Sequence, residues 1–125
     1  MDRKNPDVLF LDEAKDFIRM QPEKAREKIM FNIAKIKNGL SSPEILKKLE
    51  GNEIWELRTL FNRAHYRLFA FWDTERTALI VATHGVVKKT DKVPAKEIRK
   101  AENIKTEYFN NKHKDNGTDE SDNLR

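Results

Sequence analysis

Three closely spaced segments, rich in aromatic and β-branched residues, constrain the fold more than any other feature of this sequence. They are EIWELRTLF at 53–61, HYRLFAFW at 65–72 and TALIVAT at 77–83, separated by the short polar turns NRA and DTER. Strands joined by connections this short pair with their chain neighbours in antiparallel order. The middle of the chain therefore predicts a three-stranded antiparallel meander.

Helical periodicity precedes the predicted strands. VLFL at 8–11 predicts a short buried strand, after which Asp12 caps a helix that turns Ala14, Phe17 and Ile18 to one face. A second helix starts near Pro22 and ends at Gly39. Its apolar residues recur at spacings of three and four, which is typical of a buried stripe: Ala25, Ile29, Ile33, Ile36 and Leu40. Together the two segments predict a helical hairpin.

Two further segments carry helix signals. SSPEILKKLEG at 41–51 predicts a compact helix that Ser42 caps, Pro43 begins and Gly51 ends. After the strands, helical spacing returns from Pro94 onward, with one broad apolar face formed by Ile98, Ala101, Ile104 and Tyr108, the last of which we expect to pack. The sequence therefore predicts a further helix after the strands.

Length and composition indicate one small domain. The 125 residues include no cysteine, which excludes disulfides and zinc–thiolate sites. The N-terminal apolar run of four residues is shorter than a signal peptide or a membrane span requires, so we predict a soluble, cytoplasmic protein without membrane contact.

The charge is unevenly distributed along the chain. The net charge is +4, but residues 110–125 carry three Lys or Arg against four Asp or Glu, which leaves +5 on residues 1–109. The last segment also has almost nothing to bury. We therefore predict a basic domain over 1–109, suited to an anionic partner, and a disordered polar tail over 110–125.

The charged residues of the strands are predicted to share one face. Side chains alternate along a strand, so Glu56, Arg58 and Arg67 emerge together if the first two strands pair through the turn at Arg63. Two arginines beside Phe69 suit backbone phosphates and a stacked base. The alternative is that Glu56 and Arg58 form a salt bridge on a solvated face. Spacing leaves both interpretations open.

Other chemical motifs are weak. The sequence has no P-loop, dinucleotide glycine pattern, HExxH motif or nucleophile elbow. His65 and His84 lie in or at the end of strands, but no third metal ligand is evident, so we predict no metal and no cofactor. His84 suits proton transfer and equally suits a structural hydrogen bond. Lys88 and Lys89 follow the predicted end of the last strand at Thr83–Gly85 and precede the helix at Pro94.

The order of these elements resembles the RelE/ParE toxin superfamily, in particular its phage-derived, HigB-like branch. The resemblance covers roughly residues 8–109 and is carried by KKLEGNEIWELR, then AHYRLFAFW, then HGVVKKTDKVPAKEIRKAE. It implies an α+β fold, in which an N-terminal helical hairpin packs on one face of an antiparallel sheet and a C-terminal helix follows. It also implies the toxin of a type II toxin–antitoxin pair. Toxins of the RelE and HigB type cut messenger RNA in the ribosomal A site without a metal, using the 2′-hydroxyl of the RNA as nucleophile. It also implies a helix-turn-helix, DNA-binding antitoxin as partner, besides ribosome and mRNA.

The resemblance also implies roles for particular residues. The functional arginine of the family's aromatic-Arg-aliphatic strand matches Arg67, and the basic residue near the end of the preceding strand matches Arg58. The basic position after the last strand matches Lys88 or Lys89. His84 is the nearest counterpart of a late acid or base, and Glu56 is an alternative base. The predicted catalytic set is Arg67, Arg58, Lys89, His84 and Glu56, and the predicted RNA-binding set is Lys88, Lys89, Arg63, His65 and Arg99.

Two other functions are compatible with the same fold. ParE relatives act on DNA gyrase without cutting RNA, and for such a binder the contact residues would be Lys96, Arg99 and Lys100 of the C-terminal helix. An inactive relative would only pair with its antitoxin.

Overall fold

Five strands and three helices make up the part of the chain that the structure describes. The structure, a computed structural model, describes residues 5–90 and 92–122, with side chains as far as Lys114. In chain order the elements are β1 (Asp7–Phe10), α1 (Asp12–Arg19), α2 (Glu23–Lys37), β2 (Leu46–Lys48), β3 (Trp55–Phe61), β4 (Ala64–Trp72), β5 (Leu79–Lys88) and α3 (Ala95–Asp122).

The strands form one mixed sheet in the order β1-β5-β4-β3-β2. The meander of β3, β4 and β5 is antiparallel, as predicted, and its tight turn holds Asn62 and Arg63 at φ of 56° and 67°. The prediction of a wholly antiparallel sheet is wrong at one edge, where β1 pairs parallel with β5. Two helices intervene between β1 and the meander, and a crossover of that length allows the parallel arrangement.

The segment predicted as a third short helix is an edge strand. A single turn forms where the Ser42 carbonyl accepts the N–H groups of Ile45 and Leu46, and the chain then extends as β2 along β3. The helix prediction for 41–51 is therefore wrong. Pairing with the edge of β3 satisfies this backbone and buries Ile45 and Leu49, which outweighs the local capping signals.

The last strand continues past the histidine at which it was predicted to end. The register passes from Ala70 paired with Ala82 to Phe69 paired with His84, so Thr83 is an additional residue in β5. Such a bulge exchanges the faces to which the following residues point. His84 consequently shares a face with Phe69, and the strand runs on to Lys88.

Both faces of the sheet are covered. One core lies under α1 and α2 and includes Ile29, Ile33, Leu57, Leu68 and Ile80. A second core lies under α3 and includes Ile54, Phe69, Phe71, Val81 and Ala101. The face that was expected to expose the charged residues to solvent is thus partly covered by α3.

The N-terminal helices pack on the same face of the sheet, α1 mainly against β5 and α2 mainly against β3. Ala14 and Ile18 of α1 are buried as predicted, but the N-cap is Leu11, and Asp12, predicted as the cap, is the first helical residue. Leu40 was predicted in the buried stripe of α2 and is 64% exposed. The helix ends at Lys37, and Gly39 at φ 79° turns the chain away before Leu40.

The C-terminal helix begins directly after Pro94, as predicted. The division into a domain of 1–109 and a tail of 110–125 stays a prediction, but α3 continues to Asp122 through the segment predicted as disordered. Lys112 and His113 contact Asp73 and Glu75, which ties this part of the helix to the sheet. Residues 123–125 lie outside the described residues. Within the described ranges, no helix is long and apolar enough to cross a membrane.

Gly85 allows α1 to approach the sheet, and its replacement by alanine is expected to destabilise the fold. A Cβ at this position would lie 2.4–2.7 Å from ring carbons of Phe17. We expect Gly85→Ala to lower the free energy of unfolding by about 1–3 kcal/mol, the usual cost of overpacking, in urea titrations. In a Phe17→Ala background the same substitution should cost much less; an equal cost in both backgrounds would contradict this origin of the effect.

Candidate functional site

The charged side chains of β3 and β4 share one face of the sheet, as predicted. Arg58 pairs directly with Arg67 in the antiparallel register, and Glu56 pairs with Phe69 one row away. Across β4 the rows continue onto β5, where Phe69 pairs with His84 and His65 pairs with Lys88. The face therefore carries four of the five residues predicted as catalytic, in two neighbouring rows, and His65 and Lys88 in the next row.

A buried carboxylate holds two arginines together on this face. Glu56 Oε2 lies 3.2 Å from Arg67 Nε, and Glu56 Oε1 lies 3.5 Å from Arg58 Nε. The side chains of Glu56 and Arg67 are 2% and 1% exposed, whereas that of Arg58 is 20% exposed. Arg67 Nη1 also donates to the Thr90 carbonyl at 3.4 Å. Arg58 is the member of this cluster that solvent can reach.

Strand spacing left two interpretations of the charged face, phosphate binding beside Phe69 or a salt bridge on a solvated face, and the burial of these side chains corrects both. The salt bridge between Glu56 and Arg58 exists, but Glu56 is buried and not on a solvated face. Phe69 is fully buried, so its ring cannot stack on a base from solution. The reason is α3, which covers this part of the sheet. Catalytic roles for Glu56 and Arg67 stay predictions, and both lie where they can position Arg58.

A cleft of about 390 Å³ opens beside Arg58. It lies where β3 extends beyond its pairing with β2, and the amide of Asn32 bridges α2 to this strand, donating to Thr59 Oγ1 at 3.1 Å. Four cationic side chains and one carboxylate are among the residues that line it: Lys28, Lys35, Arg58, Arg67 and Glu44. His65, Leu60 and Tyr66 also line it. The excess of cations suits an anion with several charged groups, such as a nucleic acid backbone.

Sequence reasoning missed Lys28 and Lys35 as site residues. They lie on the polar side of α2, where lysines are ordinary surface residues. Only the packing of α2 along β3 brings them beside Arg58. No signal in the sequence distinguishes them from the other lysines of that helix.

The five residues predicted to bind RNA differ in their position relative to the cleft. His65 lines the cleft, and Lys88 is half-buried in β5 as its cross-strand partner. Lys89 is exposed directly after β5, and Arg63 is exposed in the turn before β4. Arg99 is exposed on α3. Among the described residues, the cleft lining includes His65 but not these other four.

His84 is an internal link between the sheet and α3. Its ring is 3% exposed and stacks on Phe69, with centroids 5.0 Å apart. Nε2 lies 3.0 Å from Glu97 Oε1, and Nδ1 lies 2.8 Å from Thr83 Oγ1. Burial lowers the pKa of His84 below its ordinary value, outweighing the opposing effect of Glu97. The Thr83 hydroxyl donates to the Phe69 carbonyl oxygen at 3.1 Å, and the Glu97 carboxylate is the acceptor beside Nε2. Proton transfer by His84 to a bound substrate stays a prediction, and its enclosed position does not favour it.

Asp73 anchors the far part of α3 to the sheet. Its carboxylate accepts hydrogen bonds from the Tyr108 hydroxyl and the Lys112 ammonium group, each at 2.7 Å. Burial disfavours its charge, but these bonds and the Glu75 N–H together lower the pKa of Asp73. Burial, followed by the bond to Asp73, raises the pKa of Tyr108 to about 12. Tyr108 packs edge-to-face on Phe71, so the prediction that it packs is confirmed.

Within the described residues, no group of three or more His, Asp or Glu side chains is arranged to hold a metal ion.

The stability of the fold is expected to fall on mild acidification because of His84. Its pKa is lower in the folded chain than its ordinary value of 6.5, so the unfolded chain binds the proton more readily. Stability is therefore lost as the pH falls from about 7 to 5, above the range in which the carboxylates titrate. Urea unfolding across this range should show the slope in the wild type and in His65→Gln, and a smaller slope in His84→Gln. An unchanged slope in His84→Gln would exclude His84 as the source.

Removal of Arg67 is expected to unfold the chain more readily than removal of Arg58. Arg67→Ala leaves the Glu56 carboxylate buried without its closest cation, which costs about 3–5 kcal/mol in comparable buried pairs. Chemical denaturation of Arg67→Ala, Arg58→Ala and the double variant Glu56→Gln/Arg67→Ala measures this. The double variant should recover part of the loss. If Glu56→Gln brings no recovery in that background, the buried charge is not the cause.

Comparison with known proteins places the chain in a family. The family model described as Phage derived protein Gp49-like (DUF891) matches residues 16–106. Among solved structures, the fold is similar to that of a mutant of the E. coli toxin RelE in the free state, with 19% sequence identity and a TM-score of 0.53. That match covers 78% of this chain and 93% of the other. A comparison with curated proteins gave no match. The model match over most of the chain shows the family, and the structural match shows a RelE-like fold: this chain belongs to the phage-derived Gp49-like family.

Proposed function

We propose that this protein is the toxin of a type II toxin–antitoxin pair and acts in the cytoplasm as a ribosome-dependent mRNA endoribonuclease of the HigB type. The observation that carries the proposal is the cationic cleft in which Arg58 lies with Lys28, Lys35 and His65. A cluster of this kind matches the phosphates of an RNA strand. The family and the RelE-like fold support the toxin assignment.

Cleavage in such a cleft needs no metal ion, because the RNA provides its own nucleophile. The 2′-hydroxyl attacks the adjacent phosphorus, the bond from phosphorus to the 5′-oxygen breaks, and charge builds on the non-bridging oxygens. The protein has to orient the phosphate, offset that charge and move a proton from the nucleophile and to the leaving oxygen. Arg58 is the reachable arginine, and its planar guanidinium group offers several donors to a phosphate.

Glu56 and Arg67 act as positioning residues for Arg58. Glu56 Oε1 lies 3.5 Å from the Nε of Arg58, and the Pro43 carbonyl accepts from its Nη1 at 3.4 Å. Arg67 offsets the charge of the Glu56 carboxylate from inside the protein. An arginine restrained at these atoms loses less conformational entropy when a phosphate binds.

His65 takes the proton-transfer role that the resemblance gave to His84. It lines the cleft, whereas His84 is enclosed between the sheet and α3. An imidazole can both accept and donate a proton near neutral pH. Lys88 at the end of the neighbouring strand and Lys89 directly after it bind phosphates that flank the scissile one, with Arg63 and Arg99 as outer contacts.

The partners of this function are the ribosome, mRNA and a cognate antitoxin with a helix-turn-helix, DNA-binding domain. The competing function, binding of DNA gyrase, would use the exposed Lys96 and Arg99 of α3. Lys100, the third basic residue proposed for that contact, already pairs with Glu13 at 2.7 Å. The cationic side chains that line the cleft favour RNA over gyrase as the target.

Substitution of Arg58 is expected to remove most of the activity. Loss of one preorganised donor to a developing oxyanion costs about a hundredfold or more in rate, so Arg58→Ala should relieve growth arrest and abolish most cleavage. The measurement is induced expression with mapping of mRNA 5′ ends, followed by cleavage on purified translating ribosomes. Lys15→Ala, an exposed lysine on α1, is the matched control and should stay toxic.

The same preparation separates the competing functions. The fold of each variant is checked by chemical denaturation, so that lost activity is not confused with lost structure. A wild-type chain that cuts no mRNA but inhibits gyrase supercoiling would replace the proposal with a ParE-like function. A chain that does neither and only binds its antitoxin would be an inactive relative.

A further inference from the structure

Helix α2 carries an exposed aromatic ring between two lysines. Phe31 is 57% exposed. The Nζ atoms of Lys28 and Lys35 each lie 5.5 Å from the centroid of its ring. An exposed phenylalanine adds nothing to the core of α2, which is formed by Ala25, Ile29, Ile33 and Ile36 on the side facing the sheet. This cluster is therefore a surface feature of the helix.

The ring lies beside the cationic cleft, whose lining includes the two lysines that contact it but not Phe31 itself. Residues three and four apart lie on one side of a helix, so Lys28, Phe31 and Lys35 form one stripe. Both lysines of this stripe, and Asn32 between them, line the cleft. A strand of nucleic acid that enters the cleft along α2 would therefore pass Phe31.

The contacts of Lys28 and Lys35 with the Phe31 ring are weak enough for a stacked nucleobase to replace them. A lysine over an aromatic ring at an exposed site is a weak contact. A nucleobase stacked on an aromatic side chain is a stronger one. The two ammonium groups can then turn to the phosphates on either side of the stacked base, so that each lysine pairs with a phosphate.

The charge and shape of the stripe favour single-stranded RNA as its occupant. A flat apolar ring with a cation on each side along one line matches a base between two phosphates. An acidic protein segment would pair with the lysines but would have no flat group for the ring. In duplex RNA the faces of the bases are already stacked, so a duplex would leave Phe31 without a partner.

We propose that Phe31 is a base-stacking platform that holds an unpaired nucleotide of the RNA just outside the cleft, with Lys28 and Lys35 on the neighbouring phosphates. The inference rests on the proposed function for the identity of the strand. It adds a binding subsite on α2 to the cleft around Arg58. Its role is affinity and placement of the strand, and it takes no part in bond breaking.

The test is binding of a fluorescent oligoadenylate with 2′-O-methyl riboses, which lacks the nucleophilic hydroxyl and cannot be cut. Phe31→Ala should weaken binding of this single strand by about tenfold, whereas Phe31→Trp should retain it. Met30→Ala is the matched control, because Met30 is the adjacent residue of α2, is 42% exposed and does not belong to the stripe of Lys28, Phe31 and Lys35. Lys28→Gln and Lys35→Gln should each reduce the salt dependence of binding by about one released counterion.

The outcomes distinguish the inference from the proposed function. Equal single-strand affinity of Phe31→Ala and the wild type would overturn the inference, as would an equal loss in Met30→Ala. If Phe31→Ala instead weakens binding of a polyglutamate peptide while RNA binding is unchanged, the stripe is a surface for an acidic protein. Phe31-dependent binding by a wild-type chain that cuts no mRNA on ribosomes would remove the nuclease function and leave the stacking site in place.

Discussion

The packing of α3 on its face of the sheet depends on the buried ion pair between Glu56 and Arg67. Both side chains are almost completely withdrawn from water, and a single buried charge at either position would be strongly unfavourable. Strand pairing determines that they meet, since Glu56 and Arg67 lie on the same face of β3 and β4. Once paired, they allow α3 to cover Phe69 and Phe71, and they leave Arg58 at the edge of the covered region.

The covering helix is connected to the sheet by polar contacts as well as apolar ones. Near its start, Glu97 accepts from His84, and Lys100 pairs with Glu13 of α1. Farther along, Tyr108 and Lys112 donate to Asp73. Buried polar groups need defined partners, so these contacts determine where α3 lies along the sheet in a way that apolar packing alone would not.

The cleft results from a mismatch in strand length. β2 pairs with β3 only from Trp55 to Leu57, while β3 extends to Phe61 and α2 runs alongside. The uncovered end of β3 presents Arg58 and Leu60, and α2 supplies Lys28 and Lys35 from the other side. A groove between a strand end and a helix can hold an extended strand of nucleic acid, and the aromatic ring beside it would add stacking to charge.

The sequence by itself determined the antiparallel meander, the apolar faces of the helices, the helix start after Pro94 and the shared face of Glu56, Arg58 and Arg67. These follow from spacing and turn chemistry, which act over a few residues. Tertiary structure alone decided that residues 46–48 form a strand, because the edge of β3 was available to pair with them. It also decided, through the bulge at Thr83, that His84 faces α3. The lysines of α2 entered the site for the same reason: which side chains become neighbours depends on packing between segments distant in the chain, and local patterns carry no information about that packing.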